Sequence, residues 1–147
     1  DNYGEEIYPP IEVEYALEDQ HDDAEVKRWF MVGENRYRAE VEIDGNRAEV
    51  MLTKDGRWLE TTTYLDMESL PNEIQEHLED NFDEDEFREG SIQKTENSRK
   101  QTNYVVIMES DKAAHILWFD EDGKLTKEDV ASYDDWDDAD FEEDDDY

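Results

Sequence analysis

Three short stretches of the sequence concentrate carboxylates closely enough for a cation to use them. They are HDDAE at 21–25, FDEDE at 82–86 and FDEDG at 119–123. Calcium prefers several oxygen ligands at once, and extracellular modules bind it with a Kd of about 10⁻⁴–10⁻³ M. A weak Ca²⁺ site is therefore one hypothesis for this chain, which otherwise needs no cofactor. The candidate ligands are Asp22, Asp23, Asp83, Asp85, Asp120 and Asp122.

The competing interpretation of these carboxylates is solvated charge on turns and linkers. The stretch 119–129 looks like part of an EF-hand loop. If Gly123 took the fixed glycine position, Trp118 would take the first ligand position, where an indole cannot bind calcium. The flanking residues also alternate like strands. We therefore reject an EF-hand and predict a β-turn at Asp122-Gly123.

Nothing in the sequence singles out a catalytic site. Carboxylates are so abundant that their presence selects no general acid or base. The three histidines, His21, His77 and His115, lack a metal-ligand spacing, and there is no Cys. There is no G-x-S-x-G nucleophile motif and no phosphate-binding loop. We predict that the protein is not an enzyme.

The charge balance restricts the partners. The 147 residues include 46 acidic and 14 basic side chains, for a formal net charge of −32. Like charges repel, so naked nucleic acid and anionic membrane surfaces are excluded as partners. No apolar run reaches the roughly 18 residues that a membrane span needs, so no membrane insertion is expected. Cations or basic proteins remain as charged partners, and composition leaves the oligomeric state open.

The segments that hold the candidate carboxylates belong to an internal repeat of the sequence. LEDQHDDAEV at 17–26 returns as LEDNFDEDEF at 78–87, an offset of 61. Further along the offset becomes 67, which an insertion near 90–100 explains. Repeats of this kind indicate duplicated supersecondary units.

Each unit reads as a helix followed by strands. Val13 with Leu17 and Ile74 with Leu78 form helical i, i+4 pairs, and the helices should end near 20 and 81. We expect Ser69 to cap the second helix. RYRAEVEI at 36–43 alternates apolar and polar residues, which is typical of a half-buried antiparallel strand.

The predicted fold class is α+β. Two tandem repeats, each a helix plus a four-stranded antiparallel meander, form one sheet with the helices on one face and share one core. The predicted boundaries are an N-terminal extension at 1–8, units at 9–66 and 67–131, and an acidic C-terminal tail at 132–147. Residues 134–147 hold ten acids in fourteen positions, which we interpret as a solvated tail, with weak Ca²⁺ binding or attraction of a basic partner as the alternatives.

The pattern of V-x-x-W, Y-x-A-x-V and Asp-Gly followed by W-L, complete in the first unit and partly repeated in the second, which lacks the Trp of V-x-x-W, resembles the PepSY-like family of small secreted bacterial proteins. That family shares its fold with β-lactamase-inhibitor-protein-like domains. The matching residues of the first unit are Ala24, Val26, Trp29, Tyr37, Ala39, Val41, Asp55, Gly56, Trp58 and Leu59. Those of the second are Glu86, Phe87, Tyr104, Val106, Asp122, Gly123 and Leu125. The resemblance covers about residues 9–130 and implies a periplasmic or extracellular location, with a signal peptide removed before Asp1. It carries over no catalytic residue.

The two units differ on the sheet face away from the helices. The first unit has Arg38, Glu40, Glu49 and Met51 there. The second has Val105, Ile107, Ile116 and Trp118 at the equivalent positions. An exposed apolar patch is usually covered or used. Either the tail covers it with Tyr133, Trp136 and Phe141, or it binds a protein or peptide partner, or it contacts another copy.

We therefore expect a non-catalytic binding or sensing module of the periplasm or extracellular space, modulated by calcium. The alternative is an acidic inhibitor or mimic that binds a basic protein.

Overall fold

The structure, a computed structural model, describes residues 7–133. Its eight strands form one sheet in which they follow the order of the sequence. The described residues divide into two compact units. The first comprises 7–64 and 94–102, and the second comprises 65–93 and 103–133.

The first unit begins with helix α1, Ile11–Gln20. Four strands follow, β1 (Glu25–Val32), β2 (Arg36–Ile43), β3 (Asn46–Thr53) and β4 (Trp58–Tyr64). Consecutive strands pair antiparallel. Val13 and Leu17 of α1 are buried against the sheet, which confirms the stripe that their spacing predicts. Pro10 precedes the helix and α1 ends where the sequence places its end.

The second unit begins with a short 3-10 helix, Met67–Ser69, and helix α2, Asn72–Asn81. Its strands are β5 (Arg88–Asn97), β6 (Thr102–Glu109), β7 (Ala113–Phe119) and β8 (Leu125–Ser132). The last four residues of β5 group with the first unit. β6, β7 and β8 pair antiparallel. Ile74 and Leu78 of α2 are buried, as their spacing predicts.

The same tight turn precedes the last strand of each unit. In the first unit the N–H of Gly56 donates to the carbonyl of Thr53, and φ of Gly56 is +90°. In the second, the N–H of Gly123 donates to the carbonyl of Asp120, and φ of Gly123 is +88°. The β-turn predicted at Asp122-Gly123 is confirmed.

Two expectations about local structure and packing are wrong. Ser69 does not cap α2, because it closes the 3-10 helix, and Pro71 takes the N-cap position without a side-chain hydrogen bond. The buried apolar side chains of the described residues also form two clusters rather than one shared core. Each cluster contains the helix stripe and the inward side chains of its own unit, so each unit buries a core larger than the sequence suggests.

Candidate functional site

The apolar face of the second unit is assembled by the pairing of β6 with β7. Val105 lies opposite Trp118, and Ile107 lies opposite Ile116. Their neighbours along the strands, Tyr104, Val106, Met108, Leu117 and Phe119, are buried on the other side. Since side chains alternate along a strand, the first four share one face, and each remains half-buried. We call these four residues the β6–β7 face.

β8 adds a charged border to the β6–β7 face. Lys127 pairs with Trp118 and Asp129 pairs with Ile116 in the β7–β8 register. The Lys127 ammonium lies 4.7 Å from the centroid of the Trp118 ring, a cation–π contact. Its Nζ is also 3.7 Å from Oδ2 of Asp129. Sequence reasoning missed Lys127, although counting outward from the Gly123 turn would have placed it beside Trp118.

The equivalent face of the first unit carries charged side chains that form ion pairs with one another. Glu40 Oε1 lies 2.8 Å from Nη2 of Arg28, and Glu40 Oε2 lies 3.3 Å from Nη2 of Arg38. Arg38 Nη1 is 3.4 Å from Glu49 Oε2. The Arg38 guanidinium also lies over the Phe30 ring, 4.9 Å from its centroid. Arg38 is buried, so a charge on this face is matched by carboxylates and an aromatic ring.

This contrast limits what each face can do. Cross-strand apolar pairs with no nucleophile or acid–base pair among them offer contact area rather than chemistry. The first unit's charges satisfy one another, whereas the β6–β7 face presents three aliphatic side chains and an indole. Such a surface suits a protein or peptide, because an aromatic side chain supplies much of the binding energy in protein interfaces.

The six candidate calcium ligands lie in three separate turns. Asp22 and Asp23 follow α1, Asp83 and Asp85 follow α2, and Asp120 and Asp122 join β7 to β8. Two of these carboxylates already accept hydrogen bonds from backbone N–H groups. Asp83 accepts a hydrogen bond from the Asp85 N–H at 3.0 Å, and Asp120 accepts from the N–H groups of Asp122 and Lys124. Within residues 7–133, no three His, Cys, Asp or Glu side chains are placed to hold a metal ion.

His21 belongs to a network that ties the end of α1 to β4. Its Nε2 lies 2.7 Å from Oγ1 of Thr61, and the same oxygen accepts a hydrogen bond from Nε1 of Trp58 at 2.8 Å. Thr61 is 1% exposed. Burial lowers the pKa of His21, against the opposing influence of Glu96 and Asp23. The sequence singled out neither Thr61 nor this network.

The other two histidines pack against aromatic rings. His77 lies edge-on to Phe119, and His115 packs edge-on against Phe82 and Phe87. Nδ1 of His115 is 3.2 Å from Glu128 Oε2. These contacts hold elements of the second unit together and bring no two histidines to one site in the described part of the chain.

The predicted cover for the β6–β7 face falls mostly beyond the described residues. Trp136 and Phe141 lie outside 7–133, as does the acidic segment 134–147. Tyr133 is half-buried, and its N–H donates to the carbonyl of Lys112.

Comparison with known proteins identifies the architecture. No protein-family model and no curated protein matches the chain. A BLIP-like protein from Bacteroides fragilis has a similar structure, with a TM-score of 0.71 and 25% sequence identity. The match covers 84% of this chain and 87% of that one. The chain has a BLIP-like fold.

Two further structures share this fold at lower identity. A DUF2874 family protein from Bacteroides ovatus has a TM-score of 0.71 and 19% identity over 84% of this chain and 89% of its own. A protein from Bacteroides eggerthii, provisionally described as periplasmic, has a TM-score of 0.68 and 15% identity over 84% and 90%. Within residues 7–133, no helix is long and apolar enough to cross a membrane.

Proposed function

We propose that this chain is a non-catalytic binding or sensing module of the periplasm or extracellular space. Its β6–β7 face contacts a protein or peptide partner. The observation that carries this proposal is the difference between equivalent strand pairs. Arg38, Glu40 and Glu49 form ion pairs in the first unit, whereas Val105, Ile107 and Ile116 stand half-exposed in the second. A half-exposed apolar face, at strand positions whose equivalents in the other unit carry ion pairs, is typical of a contact surface.

Location in the periplasm is supported by the provisional description of the Bacteroides eggerthii protein. The PepSY-like assignment, the duplication of units at 9–66 and 67–131, and the placement of both helices on one face stay predictions. The offset of 61 between the helices and the shared turn geometry at Gly56 and Gly123 support the duplication.

The second candidate function is an acidic inhibitor or mimic that binds a basic protein. It is favoured by the formal net charge of −32 and by the ten acids among residues 134–147. A charge of this size steers basic partners and makes association sensitive to salt. It would predict a complex that dissociates steeply with NaCl, whereas a contact made by the β6–β7 face would persist.

Calcium modulation is a separate prediction for the turns that hold Asp22, Asp83 and Asp120. Ligands that bind only the folded state raise its stability by mass action. If calcium binds these turns specifically, it should raise the melting temperature of the protein more than Mg²⁺ does at equal ionic strength. Equal effects of the two ions would remove calcium from the proposed function.

Substitution on the two sides of the β6–β7 strand pair tests whether the β6–β7 face is a surface. Replacing buried Leu117 by alanine should cost about 2–5 kcal/mol of unfolding free energy. Ile107→Ser and Trp118→Ala should each cost less than half of the Leu117→Ala loss, because their side chains are already half in water. Urea unfolding of the full chain measures all three. Losses at 107 and 118 as large as that at 117 would make this face part of a core and contradict the proposal.

A further inference from the structure

Exposed large apolar side chains are concentrated in one part of the first unit. Five such residues occur among 7–133, and four of them lie in or beside α1 and β1. They are Tyr8 (94% exposed), Ile11 (56%), Tyr15 (57%) and Val26 (38%). Single exposed apolar residues are ordinary, but a local group of them indicates an interaction site.

Helix geometry places two of them on one outward face. Ile11 and Tyr15 are four residues apart in α1 and therefore neighbours on its surface. The buried stripe of Val13 and Leu17 lies on the opposite side of the helix. α1 thus has two apolar faces, of which only one is used by the core of its unit.

A cleft between α1 and β1 adjoins this face. It has a volume of about 370 Å³, and Tyr15, Val26 and Trp29 supply part of its wall. Every charged side chain that lines it is acidic, namely Glu14, Glu18 and Asp22. Residues 11–24 hold six acids and no Lys or Arg. An apolar wall is therefore bordered by charge of one sign.

The second unit supplies an internal comparison. At the offset of 61, Ile11 and Tyr15 correspond to Asn72 and Glu76, both exposed polar residues of α2. The cleft beside α2 also includes a cation, Arg88, whose Nε is 3.7 Å from Glu109 Oε1. The combination of exposed apolar side chains with an entirely acidic border is therefore a feature of α1 and not of α2.

We propose that the outer face of α1 and its cleft with β1 bind a basic, amphipathic segment of a partner protein. The segment's apolar side chains pack on Ile11, Tyr15 and Val26. Its Lys or Arg side chains pair with Glu14, Glu18 and Asp22. Amphipathic helices are recognised in this way, through apolar anchors at helical spacing, with charge complementarity fixing their orientation. This surface lies in the first unit and does not depend on the β6–β7 face of the second.

The test uses the full chain and a synthetic peptide of Leu and Lys with helical spacing, roughly 18 residues or about five turns long. A peptide of the same composition in scrambled order controls for net charge. Binding is followed by fluorescence anisotropy at about 150 mM NaCl, where the Debye length is about 8 Å and distant charges are screened. The amphipathic peptide should bind, and amide chemical shifts should change in α1 and β1. Equal affinity for the scrambled peptide would overturn the proposal.

One double variant and one matched pair of single variants locate the site. The double change Ile11→Asn with Tyr15→Gln should weaken the peptide Kd by about tenfold or more, because it removes the apolar anchors. Glu18→Gln should weaken it several-fold, whereas Glu79→Gln, at the equivalent position of α2, should change it less than about twofold. Exposed positions tolerate such changes, and melting temperatures check that all variants fold.

Three further outcomes would overturn the proposal. The first is unchanged peptide affinity in the Ile11→Asn, Tyr15→Gln variant. The second is an equal effect of Glu18→Gln and Glu79→Gln, which would show attraction by overall charge. The third is a dimer of the wild-type chain that the double variant abolishes in sedimentation experiments without peptide, which would assign the α1 face to a second copy.

Discussion

At the scale of single residues, the least anticipated feature is the hydroxyl of Thr61. It joins His21, at the end of α1, to Trp58 at the start of β4. Because the hydroxyl accepts the Trp58 N–H, its own proton suits the lone pair of a neutral imidazole. A charged imidazole would have to donate to the same buried oxygen, and the hydroxyl proton would then lose His21 as its acceptor. Geometry and burial therefore favour neutral His21 in the folded chain.

The pKa of His21 is lowered from 6.5 on folding, so its contribution to stability depends on pH. Between the folded and unfolded pKa values the unfolded chain binds more protons, and stability falls as the pH decreases. The contribution is complete above pH 6.5 and is lost below it.

Replacing His21 by phenylalanine, the residue at the equivalent position 82, removes this dependence. The stability difference between wild type and His21→Phe should shift in favour of the variant as the pH falls from about 7.5 to about 5. Urea unfolding at both pH values measures it, and the comparison cancels the carboxylates common to both chains. A difference that stays constant would show that His21 is not buried as the structure places it.

At the scale of elements, periodicity predicts most of the fold. The alternation in 36–43 identifies the buried side of β2, since that side joins the core cluster that contains the buried stripe of α1. Leu17 and Leu78 locate the helices for the same reason. The Ser69 cap is wrong because the chain first forms a 3-10 turn and then enters α2 through Pro71, so that Ser69 lies two residues before the N-cap position. Glu86 and Phe87, the counterparts of Glu25 and Val26 at the offset of 61, precede β5 because a turn at 84–86 delays the start of that strand.

Contacts between residues far apart in the sequence could not be predicted from the sequence. The residues of the β6–β7 face follow from strand alternation and turn position, and they are brought together as expected. The Lys127 contact with Trp118 depends on the register of a third strand. The Thr61 network joins positions 40 residues apart, which no local pattern encodes.

The turn glycines offer a test of element packing. A Cβ on Gly123 would lie 2.8 Å from Cβ of Glu73 in α2, whereas one on Gly45, with φ of +84°, would meet nothing within 4 Å. Gly45→Ala should therefore cost only the left-handed backbone penalty, about 1–2 kcal/mol. Gly123→Ala should cost more in urea unfolding, because α2 must also move. Equal losses would mean that the turn does not pack against the helix.

At the scale of the whole molecule, the formal net charge of −32 is the dominant property. Self-repulsion opposes the compact state and is relieved by salt. A module with this charge gains from partners that bring cations, and the acidic border of the α1 cleft fits that requirement. The β6–β7 face adds apolar contact area in the second unit. Under the two proposals, long-range attraction by charge would act together with short-range packing on apolar surfaces.

The central claim, that the β6–β7 face contacts a partner, is tested most directly by site-specific photo-cross-linking. Benzoylphenylalanine replaces Trp118 in the full chain, and a control chain carries it in place of Met51, the half-buried equivalent in the first unit. Irradiation of cells that produce the protein, followed by mass analysis, identifies what each position touches. The account predicts an adduct with another protein from position 118 and none from position 51. Adducts from position 118 to this chain's own residues 134–147, or equal adducts from both positions, would contradict it.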